Sequence, residues 1–146
     1  MIRLTEAPFD PGALLTDFTR GRTETGAVAT FTGLARAEQG ATAILELEAY
    51  PGFTEAEIGK IADEARRRWD LDDLAILHRV GRIGAGEPIV FVATAAGHRR
   101  AAFEACDFLM DYLKSRAPFW KKEHGPDGER WIEPTAQDHA DRERWG

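Results

Sequence analysis

Apolar residues recur at helical spacing in two long segments of the chain. One stripe consists of Ala102, Phe103, Cys106, Leu109, Met110 and Leu113. An earlier stripe consists of Ile58, Ile61, Ala62, Ala65 and Trp69. Spacing of i, i+3, i+4, i+7 is typical of one face of a helix, so both segments are predicted to be amphipathic helices. Thr54 and Glu57 are predicted to form a capping box at the start of the earlier helix.

Strand patterns lie between these helices. Apolar and polar residues alternate over residues 44–50, and further runs rich in strand-forming residues cover 2–5, 26–31, 74–80 and 89–95. A short helix is predicted from Asp10-Pro11 to about Phe18. Because helices and strands interleave and the hairpins imply antiparallel pairing, we predict an α+β fold of one domain, residues 1–146. From about residue 134 the tail is polar, and we expect it to be loosely held.

The connection over residues 81–87 holds three glycines and suggests a phosphate-binding loop. A phosphate loop should lead into a helix whose N-terminus faces the anion. Here a strand is predicted to follow, so we reject the phosphate-loop interpretation.

The composition indicates an ordinary globular domain and argues against several other classes of protein. The chain has 146 residues, of which 43% are hydrophobic and 30% charged, as in ordinary globular domains. A net charge of −6 argues against nucleic acid as the main partner. The single cysteine excludes an internal disulfide. The sequence contains no apolar run long enough to span a membrane. We therefore expect a cytoplasmic protein. The four histidines are far apart in sequence, and we expect no metal site.

The segment 114–130 carries five cations. Pro118 should end the preceding helix, which places Lys114 in its last turn. Phe119 begins an extended run that carries Lys121 to a turn at residues 125–128. A helix end that faces a hairpin could bring Lys114 and Lys121 into one pocket with aromatic walls. Such a pocket could hold an anion or offer an amine nucleophile.

The positions of these basic residues can also be explained without a functional role. Lys114 alone is typical of a lysine that complements a helix dipole. The proximity of Arg116, Lys121 and Lys122 favours a functional role, because neighbouring positive charge disfavours protonation of an amine. His98-Arg99-Arg100 opens the last helix, where basic side chains oppose the dipole, so an anion clamp and simple solvent exposure both stay open. Arg36 is expected at the mouth of a loop around residues 39–40, and Cys106 is expected in the core.

Several motifs in order carry a family resemblance: residues 31–36 (FTGLAR), 47–50 (LEAY), 78–81 (HRVG), Gly86-Glu87, His98-Arg99, 102–106 (AFEAC) and 114–123 (KSRAPFWKKE). With these motifs the chain resembles the large, catalytic subunit of molybdopterin synthase from about Gly26 to Trp131. The last run is highly specific.

The resemblance implies an α+β fold of the hammerhead type and a homodimer within a heterotetramer. Each protomer would bind a small ubiquitin-like subunit whose C-terminal Gly-Gly carries a thiocarboxylate. Its sulfur would pass to cyclic pyranopterin monophosphate and form the dithiolene of molybdopterin, without a metal or other cofactor. By motif match Lys114 and Lys121 are the catalytic lysines, and Arg36, His98 and Arg99 are the substrate-binding positions. Pro118 and Phe119 are expected to line the channel for the partner's tail.

Two departures and two rival functions accompany the resemblance. Ala96 stands where many relatives have a serine that could cap the next helix, and Thr135 stands where some relatives have an arginine. The first rival is a dimeric scaffold that docks a ubiquitin-like tail without chemistry; retention of both Lys114 and Lys121 argues against it. The second is an unrelated phosphate-binding enzyme. His98 and Lys114 lie about 24 Å apart on one predicted helix, so a site that uses both must be shared between protomers.

Overall fold

The computed structural model of the chain describes residues 1–37, 44–126 and 128–146. The loop expected around Gln39-Gly40 and the turn residue Asp127 lie outside these residues. Within the described part, the elements in chain order are β1 (Ile2–Thr5), α1 (Pro11–Thr19), β2 (Ala27–Leu34), β3 (Ile44–Ala49), α2 (Phe53–Arg68), β4 (Leu71–Arg79), β5 (Gly81–Gly84), β6 (Pro88–Ala96), α3 (Arg99–Ser115), β7 (Phe119–Gly125), β8 (Gly128–Ile132) and α4 (Ala136–Glu143). The predicted α+β class is confirmed.

The first sheet has the strand order β1-β4-β6-β2, with α2 and α3 packed on one face and α1 on the other. Its strands pair antiparallel except β1, which runs parallel to β4. Residues 74–79 of β4 and 90–96 of β6 are all buried. Ile76 packs in one cluster with residues of α2 and α3, whereas its neighbour Ala75 packs with residues of α1. Burial of both faces explains why these strands appear in the sequence as continuous apolar runs.

Helix α3 lies where the sequence predicts it and buries most of the predicted stripe. Ala102, Cys106 and Leu109 are at most 7% exposed. The prediction is wrong for Phe103, which is 63% exposed, while Phe108 is fully buried. The buried face of the helix is therefore rotated toward Phe108. No helix in the described ranges is long and apolar enough to cross a membrane.

The second sheet has the order β5-β3-β7-β8, and its first strand, β5, is not predicted by the sequence pattern. Residues 81–84 were predicted as part of a connection, but they form β5 and pair antiparallel with β3. Ile83 is the reason, because it is fully buried in a cluster with Leu47 and Ala35. A strand, β6, follows the glycines, so rejection of the phosphate loop is confirmed.

The predicted capping box of α2 is wrong. Gly52, with φ +82°, is the N-cap, and its backbone nitrogen donates to the Glu55 side chain at 3.4 Å. Thr54 lies inside the first turn and is fully buried. Its hydroxyl accepts from the backbone nitrogen of Tyr50 at 2.8 Å and donates to the carbonyl oxygen of Pro118 at 3.0 Å. Thr54 therefore ties the start of α2 to the residue that precedes β7.

The C-terminal tail is polar as predicted, but it is not loosely held. Thr135 caps α4 by accepting from the backbone nitrogen of Asp138 at 3.1 Å. Beyond the helix, the Trp145 ring contacts the rings of Trp69 and Phe108, each at 5.6 Å between centroids. Its Nε1 donates to Asp111 of α3 at 2.6 Å. One aromatic side chain in a charged segment thus anchors the tail, and an isolated apolar position gives no periodic signal.

Candidate active site

Lys114 and Lys121 line one cavity of about 430 Å³. Helix α3 ends at Ser115, and β7 begins at Phe119 after Pro118, as the sequence predicts. Lys114 is in the last turn of α3, and Lys121 is the third residue of β7. The prediction that the two lysines share a pocket is confirmed.

The cavity lies where both sheets meet α3. Its lining includes residues of β2, β3, β4, β6, α3 and β7: Phe31, Thr32, Gly33, Leu34, Leu45, Leu47, His78, Ile89, Val90, Met110, Leu113, Lys114, Phe119 and Lys121, together with Arg36, Ala117, Ile132 and Pro134 from connecting segments. Strand β7 is held by β3, with Lys121 opposite Leu47. A Cβ on Gly33 would lie 2.8 Å from Cγ1 of Val90, so no larger residue fits there without a shift. Most of the lining residues are apolar, and Arg36, Lys114 and Lys121 add three cationic side chains to them.

Lys121 has a strongly lowered pKa. Burial, followed by the nearby charge of Lys114, lowers its pKa from 10.5 to about 8, although Asp138 acts in the opposite direction. The sequence predicts such a shift from crowding by cations, whereas burial is the larger cause. A substantial fraction of Lys121 is therefore a neutral amine slightly above neutral pH, in the form that can accept a proton or act as a nucleophile.

Two of the basic residues counted near the lysines do not line the cavity. Lys122 alternates to the other face of β7, where its Nζ lies 2.7 Å from a carboxylate oxygen of Glu129 and 5.0 Å from the centre of the Trp131 ring. Hydrogen bonding to Glu129 raises the pKa of Lys122. Arg116 lies over the Tyr112 ring at 5.8 Å. Their proposed contribution to the pocket is therefore wrong, because the strand alternation and the helix end turn both side chains away.

His78 is a site residue that the sequence indicates only as part of a family motif. It ends a run of apolar residues in β4, and its ring stacks on Phe119 with centroids 4.3 Å apart. Its Nδ1 lies 2.8 Å from the carbonyl oxygen of Arg79. A carbonyl can only accept, so Nδ1 carries the proton. Burial lowers the pKa of His78 to about 4; the Arg79 bond opposes this, and the charges of Lys121 and Lys114 add to it. The imidazole is therefore neutral at physiological pH.

The remaining predicted site residues divide into two groups. Arg36 and Phe119 line the cavity, whereas Pro118 does not. His98 is the N-cap of α3 and Arg99 its first residue; both are exposed. They lie at the opposite end of α3 from Lys114 and outside the cavity lining. One protomer therefore does not bring these two residues to the lysines.

Cys106 and the two departures from the family pattern contribute no reactive group to the cavity. Burial, and then the charge of Asp107, raise the pKa of Cys106 to about 12, so this thiol stays protonated. Ala96 is fully buried in β6, and the N-cap residue of α3, His98, makes no side-chain capping bond. Thr135 serves as the cap of α4.

Comparisons with known proteins identify the family. Residues 4–116 match the model of the family described as MoaE protein. The chain belongs to the MoaE family. It is 69% identical over 145 residues to the molybdopterin synthase catalytic subunit of Caulobacter vibrioides, covering 99% of this chain and 97% of that one. The corresponding subunit of Mesorhizobium japonicum is 54% identical over 146 residues, with 99% and 92% covered.

A solved MoaE structure agrees with the fold. The molybdopterin biosynthesis MoaE protein of Burkholderia ambifaria superimposes with a TM-score of 0.86 at 49% identity, covering all of this chain and 97% of that one. Both the resemblance and the hammerhead α+β fold predicted from the motifs are thereby confirmed. Membership of the MoaE family also excludes the rival interpretation as an unrelated phosphate-binding enzyme.

Proposed function

We propose that the chain is a molybdopterin synthase catalytic subunit that transfers sulfur to cyclic pyranopterin monophosphate and so forms the dithiolene of molybdopterin. The sulfur comes from the C-terminal thiocarboxylate of a small ubiquitin-like subunit. The observation that carries this proposal is the meeting of Lys114 and Lys121 in one cavity, with the pKa of Lys121 lowered by burial to about 8. The 69% identity to a catalytic subunit supports the same activity.

The cationic side chains of the cavity can stabilise the negative charges of this reaction. A substrate phosphate and an oxyanion that develops at the tail carbonyl both require fixed cationic donors, which act most strongly where water is excluded. We assign the catalytic roles to Lys114 and Lys121, with Arg36 as a ligand of the anionic substrate. The neutral imidazole of His78 adds no further positive charge and holds Phe119 in place by stacking.

The thiocarboxylate tail enters along Phe119 and Pro118. Phe119 lines the cavity, and the backbone of Pro118 is held by Thr54, so the start of β7 offers a fixed wall for an extended peptide. The relatives are named as one subunit of an enzyme, which fits a second subunit as partner. The buried, unreactive Cys106 and the absence of other cysteines suit work in the reducing cytoplasm.

A homodimer completes the site in this proposal. His98 and Arg99 lie sixteen and fifteen positions from Lys114 along α3, which amounts to about 24 Å for His98. If both ends of α3 serve one substrate, His98 and Arg99 of one protomer complete the cavity of the other. Phe31 and Phe103 are 40% and 63% exposed and line a second cavity together, which supports an apolar contact surface on this side of the molecule.

An activity assay with purified components distinguishes the proposed enzyme from the alternative of a non-catalytic scaffold. The purified chain is mixed with thiocarboxylated small subunit and cyclic pyranopterin monophosphate, and the dithiolene product is quantified. We expect product from the wild-type chain and none from Lys114→Ala, which flanks the buried face of α3 and opens no core cavity when truncated. A wild-type chain that binds the small subunit but forms no product would support the scaffold and contradict the proposal.

Mixed dimers test the shared site. His98→Ala and Lys114→Ala chains, each inactive alone, are unfolded and refolded together. Each mixed dimer then has one intact and one doubly altered site. With random pairing half the dimers are mixed, so about a quarter of wild-type activity should return. A mixture that stays inactive while mass spectrometry detects mixed dimers would contradict the shared site.

A further inference from the structure

An ion pair at the end of β4 joins a buried arginine, Arg79, to the exposed carboxylate of Glu87. Arg79, the last residue of β4, is 4% exposed, and its Nη1 donates to Oε2 of Glu87 at 2.8 Å. Its Nη2 donates to the carbonyl oxygens of Glu6 and Arg82 at 3.4 and 3.3 Å. Its Nε is the one buried side-chain nitrogen or oxygen within the described ranges that has no hydrogen-bond partner. Such a buried charge is a poor device for stability alone, because apolar residues of similar volume often serve as well.

Glu87 connects this arginine to a tight turn over residues 84–87. The same Oε2 accepts from the backbone nitrogen of Gly84 at 2.9 Å, and the backbone nitrogen of Glu87 donates to the carbonyl oxygen of Gly84 at 3.1 Å. These bonds from Gly84 and from Arg79 lower the pKa of the Glu87 carboxyl. The carboxylate is therefore charged at neutral pH and bonds the turn on one side and Arg79 on the other.

The 84–87 turn forms hydrogen bonds with both backbone polar groups of Ala35. The backbone nitrogen of Ala35 donates to the carbonyl oxygen of Glu87 at 2.9 Å, and that of Gly86 donates to the carbonyl oxygen of Ala35 at 2.6 Å. Ala35 is 6% exposed. Arg36 follows directly and lines the cavity. The backbone from which the Arg36 side chain departs is thus fixed by the turn.

We propose that Arg79 and Glu87 are positioning residues for Arg36. The ion pair fixes the 84–87 turn, the turn fixes Ala35, and Ala35 sets the direction in which Arg36 enters the cavity. A long side chain binds an anion well only when its backbone is held in place, since otherwise binding must also order the loop. This inference rests on the proposed role of Arg36 as a ligand of the anionic substrate.

The first measurement is the affinity for cyclic pyranopterin monophosphate, by calorimetry without sulfur donor, together with KM and kcat in the reconstituted reaction. Glu87→Ala should weaken binding and raise KM about five- to tenfold, while kcat stays within about twofold, because the lysines are untouched. Glu64→Ala is the matched control: like Glu87, Glu64 bonds arginine side chains, here those of Arg67 and Arg68, but it lies on α2 outside the cavity lining. It should leave the affinity and KM unchanged. Equal affinity in the Glu87 and Glu64 variants would overturn the inference.

A double-mutant cycle shows whether Glu87 acts through Arg36. Arg36→Ala and the Arg36→Ala, Glu87→Ala double variant should bind the pterin equally weakly, because a residue that only positions Arg36 has no effect once Arg36 is gone. Losses that add would overturn the inference and leave the proposed function intact. A wild-type chain that neither binds the pterin nor transfers sulfur would overturn both. If Glu87→Ala fails to fold, Glu87→Gln, which keeps the side-chain shape, replaces it in the cycle.

Discussion

Replacing Lys121 by methionine should stabilise the fold at neutral pH. Burial, and then the charge of Lys114, lower the pKa of Lys121 from 10.5 to about 8. Between these two values the unfolded chain binds more protons than the folded chain, so the free energy of unfolding rises with pH through this window and is lowest below it. At 1.36 kcal/mol per pH unit, the charged amine costs about 3 kcal/mol at pH 7 and about 1.5 kcal/mol at pH 9.5.

Urea unfolding at both pH values measures this cost. The apolar contribution of the new methionine is the same at pH 7 and pH 9.5, so the change in stabilisation between them, roughly 1.5 to 2 kcal/mol, isolates the charge. Lys122→Met is the control on the opposite face of β7. Glu129 raises the pKa of Lys122, so the stabilisation from its charge is present at pH 7, and this variant should gain no stability there. An equal effect of Lys121→Met at both pH values would refute the reasoning.

Three further variants test packing and partner contact. Trp145→Ala should lower the free energy of unfolding by roughly 2 to 3 kcal/mol in urea titrations, because the ring packs on the rings of Trp69 and Phe108; an unchanged midpoint would show that this ring does not stabilise the fold. Gly26→Ala should lower the thermal midpoint, since its Cβ would lie 2.1 Å from the carbonyl oxygen of Gly97, and a wild-type midpoint would contradict this contact. Phe119→Ala should weaken binding of the small subunit in a titration more than Lys122→Ala does; equal affinities would leave Phe119 as packing alone.

Local rules predicted the part of the site that follows from one continuous segment. Pro118 ends α3, and strand alternation then points Lys121 into the cavity, so the meeting of Lys114 and Lys121 could be inferred from residues 114–121. The same alternation points Lys122 away from the cavity, so the number of cations in the segment overstates the charge in the pocket. The sequence therefore predicts correctly the part of the site that residues close together in sequence form.

Contacts between distant segments could not be predicted in this way. Strand β5 exists because Ile83 is buried against Leu47 and because β3 pairs with it, and neither partner is visible in a four-residue segment. His78 becomes a cavity residue only because β7, about forty positions later in sequence, places Phe119 against its ring. Trp145 anchors the tail through Trp69, which follows α2, and through Phe108 and Asp111 of α3. Burial set by tertiary packing overrides local propensity at each of these places.

The central claim is that an amine at Lys114, paired with Lys121, acts chemically in sulfur transfer. The most direct test is a single-turnover reaction of Lys114→Arg with thiocarboxylated small subunit and cyclic pyranopterin monophosphate, with dithiolene product as the readout. Arginine keeps the positive charge but stays protonated, so it cannot serve as an amine nucleophile or proton acceptor. We predict that this variant binds both partners and forms no product. Near-normal product formation would reduce Lys114 to a counter-charge and contradict the account.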